Sequence, residues 1–353
     1  MITIVFAAFA IGFFNIENSA MFAFEKDVPK IGYVIDLSGP GAYWGESTVA
    51  GAELAKKDLA KEGIGVELIF EDYKMNPKEA VTAVQKLINF DNVDFIYSEF
   101  TPAAMAVSST IQNQDLLQLY ISAPISPLKE EYNIKSFTDY KKNCRLLALK
   151  FKEKGILKMG GLMPKDEFGQ LCLEGVLEIY PDIIIEEYFG LGKEKDLRTQ
   201  VTKLKNANVE AIINPGIDPD SRNMLKIVKE LGWKINYGGS TEGLSETIID
   251  EYADVIENYI YFRFVDVSKE FKERVDIQIG HTPDTYEAAA FAYMHTKQIA
   301  RAIDYCGKDS ACIKQKILNS PKEEFFGFDG FNGRIADFEI LIIESEWINK
   351  NVY

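Results

Sequence analysis

The sequence predicts an α/β protein of two lobes, each a parallel sheet flanked by helices. Three observations lead there. Short apolar runs alternate with helix-period patterns along most of the chain, the signature of repeated βα units. Two helix starts are marked by Asn76-Pro77 and Thr101-Pro102, a capping side chain followed by proline at the first helical position. The alternation pauses over the polar stretch 126–139 and then resumes, so the 353 residues divide into two units and a C-terminal third.

In chain order, Ile31–Asp36 reads as a strand and Gly45–Glu62 as a helix. Val66–Phe70 is the next strand, and a helix runs from Pro77 to about Phe90. Asp94–Tyr97 is a strand, followed by a helix to Gln114 and a fourth strand at Leu117–Ile121. The second unit opens with a helix over Tyr140–Lys154 and continues with strands at Lys158–Leu162, Ile183–Tyr188, Ala211–Asn214, Ile235–Tyr237 and Tyr259–Phe264. Helices near 168–179, 196–206, 220–231 and 245–252 separate these strands. Helices at Lys269–Ile277, Thr285–Tyr305 and Ala311–Asn319 come next, and a short β-like tail closes the chain. Ligands in open α/β sheets bind beyond the carboxyl ends of the strands, so a cleft between the two units is the expected site.

Composition narrows the function. Lys and Arg number 39 against 54 Asp and Glu, a formal charge of −15. That surplus disfavours nucleic acid and anionic lipid, both of which need clustered cations. The fractions of 47% hydrophobic and 26% charged residues are those of an ordinary globular protein. Two histidines, His281 and His295, leave little scope for a metal centre or a Ser-His pair, and no cofactor is indicated. No Gly-x-Ser-x-Gly elbow, P-loop or His-Glu-x-x-His occurs, so a binding protein is expected and not an enzyme.

Residues Ile2–Phe14 are apolar and uncharged. They are too short to span a bilayer, which takes about 20 residues, but fit the apolar core of a secretory signal. Residues 1–24 are therefore expected to be an export signal or an apolar anchor, and the mature protein to be periplasmic or extracellular. The loop Leu37–Gly45 is a near miss to a dinucleotide fingerprint. Gly39 and Gly41 are correctly spaced, but Trp44 stands where the third glycine belongs. Ser38 and the N–H groups of this loop could still hold an anion.

The order of several short motifs carries a resemblance. These are Ile31–Pro40 (IGYVIDLSGP), Tyr43-Trp44-Gly45, Ala50–Ala55 (AGAELA), Asp72, Pro77–Ala80 (PKEA), Ile121–Ser126 (ISAPIS), Lys165–Gly169 (KDEFG) and Gly327–Phe338 (GFDGFNGRIADF). Together they resemble type I periplasmic solute-binding proteins, and within them the leucine/isoleucine/valine-binding receptors of ABC transporters, over about Lys30 to Phe338. The resemblance implies the two-lobed periplasmic-binding-protein type I fold with three crossings between lobes, near 126–140, 264–269 and 321–327. Residues 29–138 and 268–322 would form the first lobe, and 139–267 and 323–353 the second. It also implies capture of an amino acid-like small molecule by hinge closure, and delivery to the membrane permease of an ABC importer. The same fold also serves as the ligand-sensing half of receptors and regulators.

The family's contacts transfer residue by residue. By resemblance, Trp44 is the aromatic on the ligand, Thr101 receives its carboxylate, and Ser126 with the Pro124 carbonyl grips carboxylate and ammonium. On the second lobe, Glu242 matches the acid that pairs with the ammonium. Phe168 and Ile217 stand where the family has tyrosines, Asp218 is a spare acid beside them, and His281 aligns with a cleft residue. The residues by themselves leave plainer roles open: Trp44 as a core aromatic, Thr101 as a bare N-cap, Ser126 as a turn serine, Glu242 as a solvated acid. Two missing tyrosine hydroxyls imply that the ligand need not be a branched-chain amino acid. Close-set cysteines such as Cys306 and Cys312 recur in the family as a small disulfide, while Cys144 and Cys172 read as core residues.

Overall fold

The computed structural model describes residues 28–112, 114–190, 196–322, 327–338 and 341–345. The expected signal or anchor at 1–24 lies outside these residues.

The first lobe begins with β1 (Lys30–Ile35), α1 (Ala42–Lys61), β2 (Glu67–Asp72), α2 (Pro77–Lys86), β3 (Phe95–Glu99), α3 (Phe100–Thr110), β4 (Gln118–Ile121) and β5 (Asn133–Lys135). The second holds α4 (Tyr140–Glu153), β6 (Met159–Pro164), α5 (Glu167–Leu177), β7 (Ile184–Phe189), α6 (Arg198–Asn206), β8 (Ala211–Ile213), α7 (Asp218–Glu230), β9 (Ile235–Ser240), α8 (Glu246–Glu251) and β10 (Ile256–Arg263). The chain then returns to the first lobe with α9 (Lys269–Ile279), α10 (Glu287–Cys306) and α11 (Ser310–Leu318), and ends in β11 (Phe328–Asn332), β12 (Ile335–Phe338) and β13 (Leu341–Glu344).

One sheet has the order β11-β12-β5-β4-β3-β1-β2 and the other β13-β10-β9-β8-β6-β7. Strands β1 to β5 pair in parallel, as do β6 to β10. Strands β3 and β4 are buried along their whole length, as expected of a sheet covered on both faces. Asn76 caps α2 by accepting from the Lys78 N–H, with Pro77 at the first helical position. Helix α1 crosses α10 so closely that a Cβ on Gly51 would lie 2.0 Å from the Ala289 carbonyl oxygen, so the crossing excludes any other residue there. His295, in the middle of α10, is structural. Gln298 accepts from its Nδ1–H at 2.8 Å, the Ser136 hydroxyl donates to Nε2 at 2.6 Å, and burial lowers its pKa to about 4.

Two expectations are corrected. The resemblance implies that 323–353 belong to the second lobe, but β11 and β12 form an antiparallel hairpin on the first sheet, with Ile335 paired to Lys135. The cause is side-chain anchoring. Phe328 and Phe338 are buried against α10, and the Arg334 guanidinium donates to the carbonyls of Leu128, Glu130 and Asn133. Only β13 joins the second sheet, antiparallel to β10. The third crossing therefore follows β12, and does not lie at 321–327.

The second correction concerns Cys144 and Cys172, which are disulfide-bonded with Cα atoms 5.1 Å apart. They tie α4 to α5, which pack so tightly that a Cβ on Gly175 would sit 2.1 Å from the Lys141 carbonyl oxygen. Cys306 and Cys312 are disulfide-bonded as the resemblance implied.

Candidate ligand-binding site

The lobes meet at the carboxyl ends of their strands, where they leave a narrow cavity between them. Its first-lobe wall is built where β3 and β4 end. Phe100 and Thr101 follow β3 directly, and Ile121, Ser122 and Ala123 close β4. The Thr101 and Ser122 hydroxyl oxygens are 3.2 Å apart. Phe100 has φ of 63°, a left-handed conformation that costs a bulky residue about 1–3 kcal/mol and so implies that the surroundings hold it there. Its ring lies against Gly41, where a Cβ would come within 2.8 Å of it.

The second lobe supplies Phe168, Ile217 and Glu242, while Phe137 fills the base beside the first crossing. Glu242 sits in a tight turn after β9, in which Gly243 and Leu244 both donate to the Ser240 carbonyl. Gly243 is needed there, because a Cβ would lie 1.9 Å from the Gly216 oxygen. Glu242 is 5% exposed, and its carboxylate has the Ser240 hydroxyl at 3.5 Å. Burial, then the facing Glu287, pushes its pKa up to about 8. Among the described residues no lysine or arginine pairs with it. The cavity is thus an apolar box with two hydroxyls on one side and a carboxyl group lacking a cation on the other.

Four of the nine expected contacts line this cavity: Thr101, Phe168, Ile217 and Glu242. The other five do not. Trp44 is buried beneath Phe100, with ring centroids 6.1 Å apart. The Pro124 carbonyl accepts from the Tyr120 hydroxyl at 2.9 Å. Ser126 is taken by the opposite lobe, since its hydroxyl donates to Glu167 Oε2 at 2.6 Å. Asp218 pairs with Arg222 Nε at 2.8 Å, one helical turn along α7. His281 is exposed, with Nε2 3.2 Å from Glu46.

Sequence reasoning missed Phe100, Ile121, Ser122, Ala123 and Phe137. The signal for four of them was positional, because they are the residues at and just beyond the carboxyl ends of strands. The loop after β1 binds its own acids: Gly39 and Gly41 N–H groups donate to Asp36, and the Ser38 hydroxyl to Asp72. Its donors are therefore already used, which removes it as an anion site. Among the described residues no group of three or more His, Cys, Asp or Glu side chains could hold a metal ion, and no helix is long and apolar enough to cross a membrane.

Contacts between lobes close the cavity. Besides Glu167 with Ser126, the Tyr43 hydroxyl donates to the Glu242 carbonyl at 3.1 Å and the Thr241 hydroxyl to Glu287 at 2.5 Å.

Comparison with known proteins gives the same architecture. The chain is 25% identical over 362 aligned positions to a leucine-, isoleucine-, valine-, threonine- and alanine-binding protein of Pseudomonas aeruginosa, covering 96% of this chain and 94% of that one. It is also 25% identical over 247 residues to a Leu/Ile/Val-binding protein of Citrobacter freundii, where the match spans just under two thirds, 65%, of the relative's length. A solved solute-binding protein of an ABC transporter from R. palustris, in complex with 4-hydroxybenzoate, superposes with a TM-score of 0.79 at 18% identity, covering 91% of this chain and 93% of that one. The family model described as "Periplasmic binding protein" matches residues 29–339, so the chain belongs to the periplasmic binding protein family, with the type I two-lobed fold.

Proposed function

We propose that this protein captures a small amino acid-like ligand in the interlobe cavity and delivers it to the permease of an ABC importer. The observation that carries the reading is Glu242, a buried acid with no cationic partner facing the Thr101–Ser122 hydroxyl pair across an apolar box. A ligand ammonium would supply the missing charge. A charge-assisted bond of that kind contributes about 1.5–3 kcal/mol. The ligand carboxylate would meet the two hydroxyls and the positive end of the α3 dipole. Phe100, Phe137, Phe168 and Ile217 then surround its apolar part. Among the described residues no tyrosine hydroxyl lines this cavity, so a free amino acid would be held by few polar groups. Two disulfides are favoured outside the cytoplasm, which supports an exported protein.

Thermal-shift measurements with a panel of α-amino acids, their amides, short peptides and aromatic carboxylates test the reading. At least one α-amino acid should raise the melting temperature in a dose-dependent way. A response confined to carboxylates without an ammonium would overturn it.

A further inference from the structure

A second, larger cavity is also shared by the lobes. The second lobe contributes Thr241, beyond β9, and Arg263, the last residue of β10. The first lobe contributes Lys272 of α9, Thr285, and Glu287 at the start of α10. The two cavities share one thin partition. Glu242 lines the first, and its neighbour Thr241 and the facing Glu287 line the second. The Thr241 hydroxyl donates to Glu287 Oε2 at 2.5 Å, from one lobe to the other.

The second cavity differs in chemistry from the first. Arg263 and Lys272 both face it, the Arg263 side chain 23% exposed and the Lys272 ammonium 5.2 Å from the centre of the Tyr286 ring. Of the acids on its wall, Asp284 is exposed. Glu287 is engaged with the Thr241 hydroxyl and accepts from the Phe264 N–H at 3.2 Å, with Arg263 Nε 3.9 Å away. The remaining wall is rich in hydroxyls, from Thr241, Ser245 and Thr285 among others. A guanidinium, an ammonium and several hydroxyls converging in a half-closed space suit a carboxylate, and arginine in particular binds one through two parallel donors.

We propose that this second cavity is a subsite for the distal anionic group of an extended α-amino acid. The ammonium end stays at Glu242, the chain passes the Thr241–Glu287 partition, and a terminal carboxylate reaches Arg263 and Lys272. The inference rests on the amino acid reading of the first cavity and names the class of side chain.

Isothermal titration calorimetry on the full chain tests it with two ligands of matched backbone, L-norleucine and L-2-aminoadipate. The wild type should bind aminoadipate at least about tenfold more tightly, the scale of one charge-assisted hydrogen bond. Arg263→Gln and, separately, Lys272→Gln should each remove most of that preference while leaving norleucine within about twofold of wild type. The unchanged norleucine affinity shows that each variant is folded and closes normally. If norleucine binds and aminoadipate binds no better, or if the preference survives both substitutions, the subsite is wrong and the amino acid reading stands. If neither ligand binds, the subsite is wrong as well, and the thermal-shift panel decides separately whether the amino acid reading stands.

Discussion

The Glu167 carboxylate, at the start of α5 in the second lobe, accepts the Ser126 hydroxyl of the first lobe at 2.6 Å. Its other oxygen takes the Ile125 and Ser126 N–H groups at 3.1 and 3.3 Å. One carboxylate thus bridges the cleft with three hydrogen bonds, at the serine expected to hold the ligand. Glu167→Ala should therefore shift the ligand-free protein toward an open form by about 1–2 kcal/mol, or roughly five- to thirtyfold in population. Small-angle scattering should give a larger radius of gyration for the variant without ligand and the wild-type value with ligand. Identical ligand-free profiles would show that the bridge does not govern closure.

Glu242→Gln keeps the shape of the side chain and removes its charge. Affinity for an α-amino acid should fall by roughly ten- to a hundredfold, as expected for one charge-assisted bond. Affinity for a neutral isostere of the same ligand should change by less than about threefold. Equal losses for both would remove the ammonium role.

The raised pKa of Glu242 gives ligand binding a direction in pH. The ligand-free acid titrates near 8 because of burial and the facing Glu287, and an ammonium ligand favours its ionised form. Affinity should rise between about pH 6 and pH 8, with release of a proton on binding. Calorimetry near pH 7 in two buffers of different ionisation enthalpy reads that proton directly, and Glu242→Gln should abolish it.

The same buried acids set a pH slope on stability. Glu99, Glu242 and Glu287 have folded pKa values of about 8, 8 and 7, all above the ordinary 4.5 and all caused first by burial. The folded state keeps protons that the unfolded chain releases. Their contribution is therefore full below about pH 4.5 and is lost as pH rises through 7 to 8. Between about pH 5.5 and pH 8.5 the melting temperature of the ligand-free wild type should fall more steeply than that of Glu242→Gln. Parallel curves would mean that Glu242 is already ionised in the folded protein at the lower pH.

The two disulfides should differ in what their loss does. Cys144 and Cys172 close a separation of 28 residues and are buried, whereas Cys306 and Cys312 close 6 and are partly exposed. Chain entropy gives about 3.6 kcal/mol for the first and about 2.4 for the second. Mild reductant should open Cys306–Cys312 first with a small drop in melting temperature. Replacing both Cys144 and Cys172 by alanine should produce the larger one.

The fold was legible because each element announced itself locally. Buried strands such as Phe95–Glu99 open on an apolar run, here Phe95-Ile96-Tyr97, and Asn76-Pro77 fixes a helix start whatever surrounds it. The tail was not, because the hairpin around Gly333 has no apolar pattern that names a sheet, and its place is decided by Arg334 reaching carbonyls two hundred residues away in sequence. In the site, Thr101 and Glu242 were legible as polar residues just past strand ends. Ser122 stands closer to β4 than Ser126, which the resemblance singled out and whose hydroxyl serves the opposite lobe. The bond between Cys144 and Cys172 depended on how α4 packs on α5, a tertiary fact that neither helix carries alone.

The tail hairpin also bears on how the protein can move. Lys135 lies at the first crossing, almost fully buried, with its ammonium donating to the Phe137 and Thr138 carbonyls of the chain that leaves for the second lobe. The last strands sit beside it, since Ile335 pairs with Lys135 before the chain departs toward Leu341. Two of the three tethers thus start from adjoining strands of the first sheet. A rigid body held by such neighbouring straps bends about one line and resists twisting, so the cleft should open along a single path, like the cover of a book.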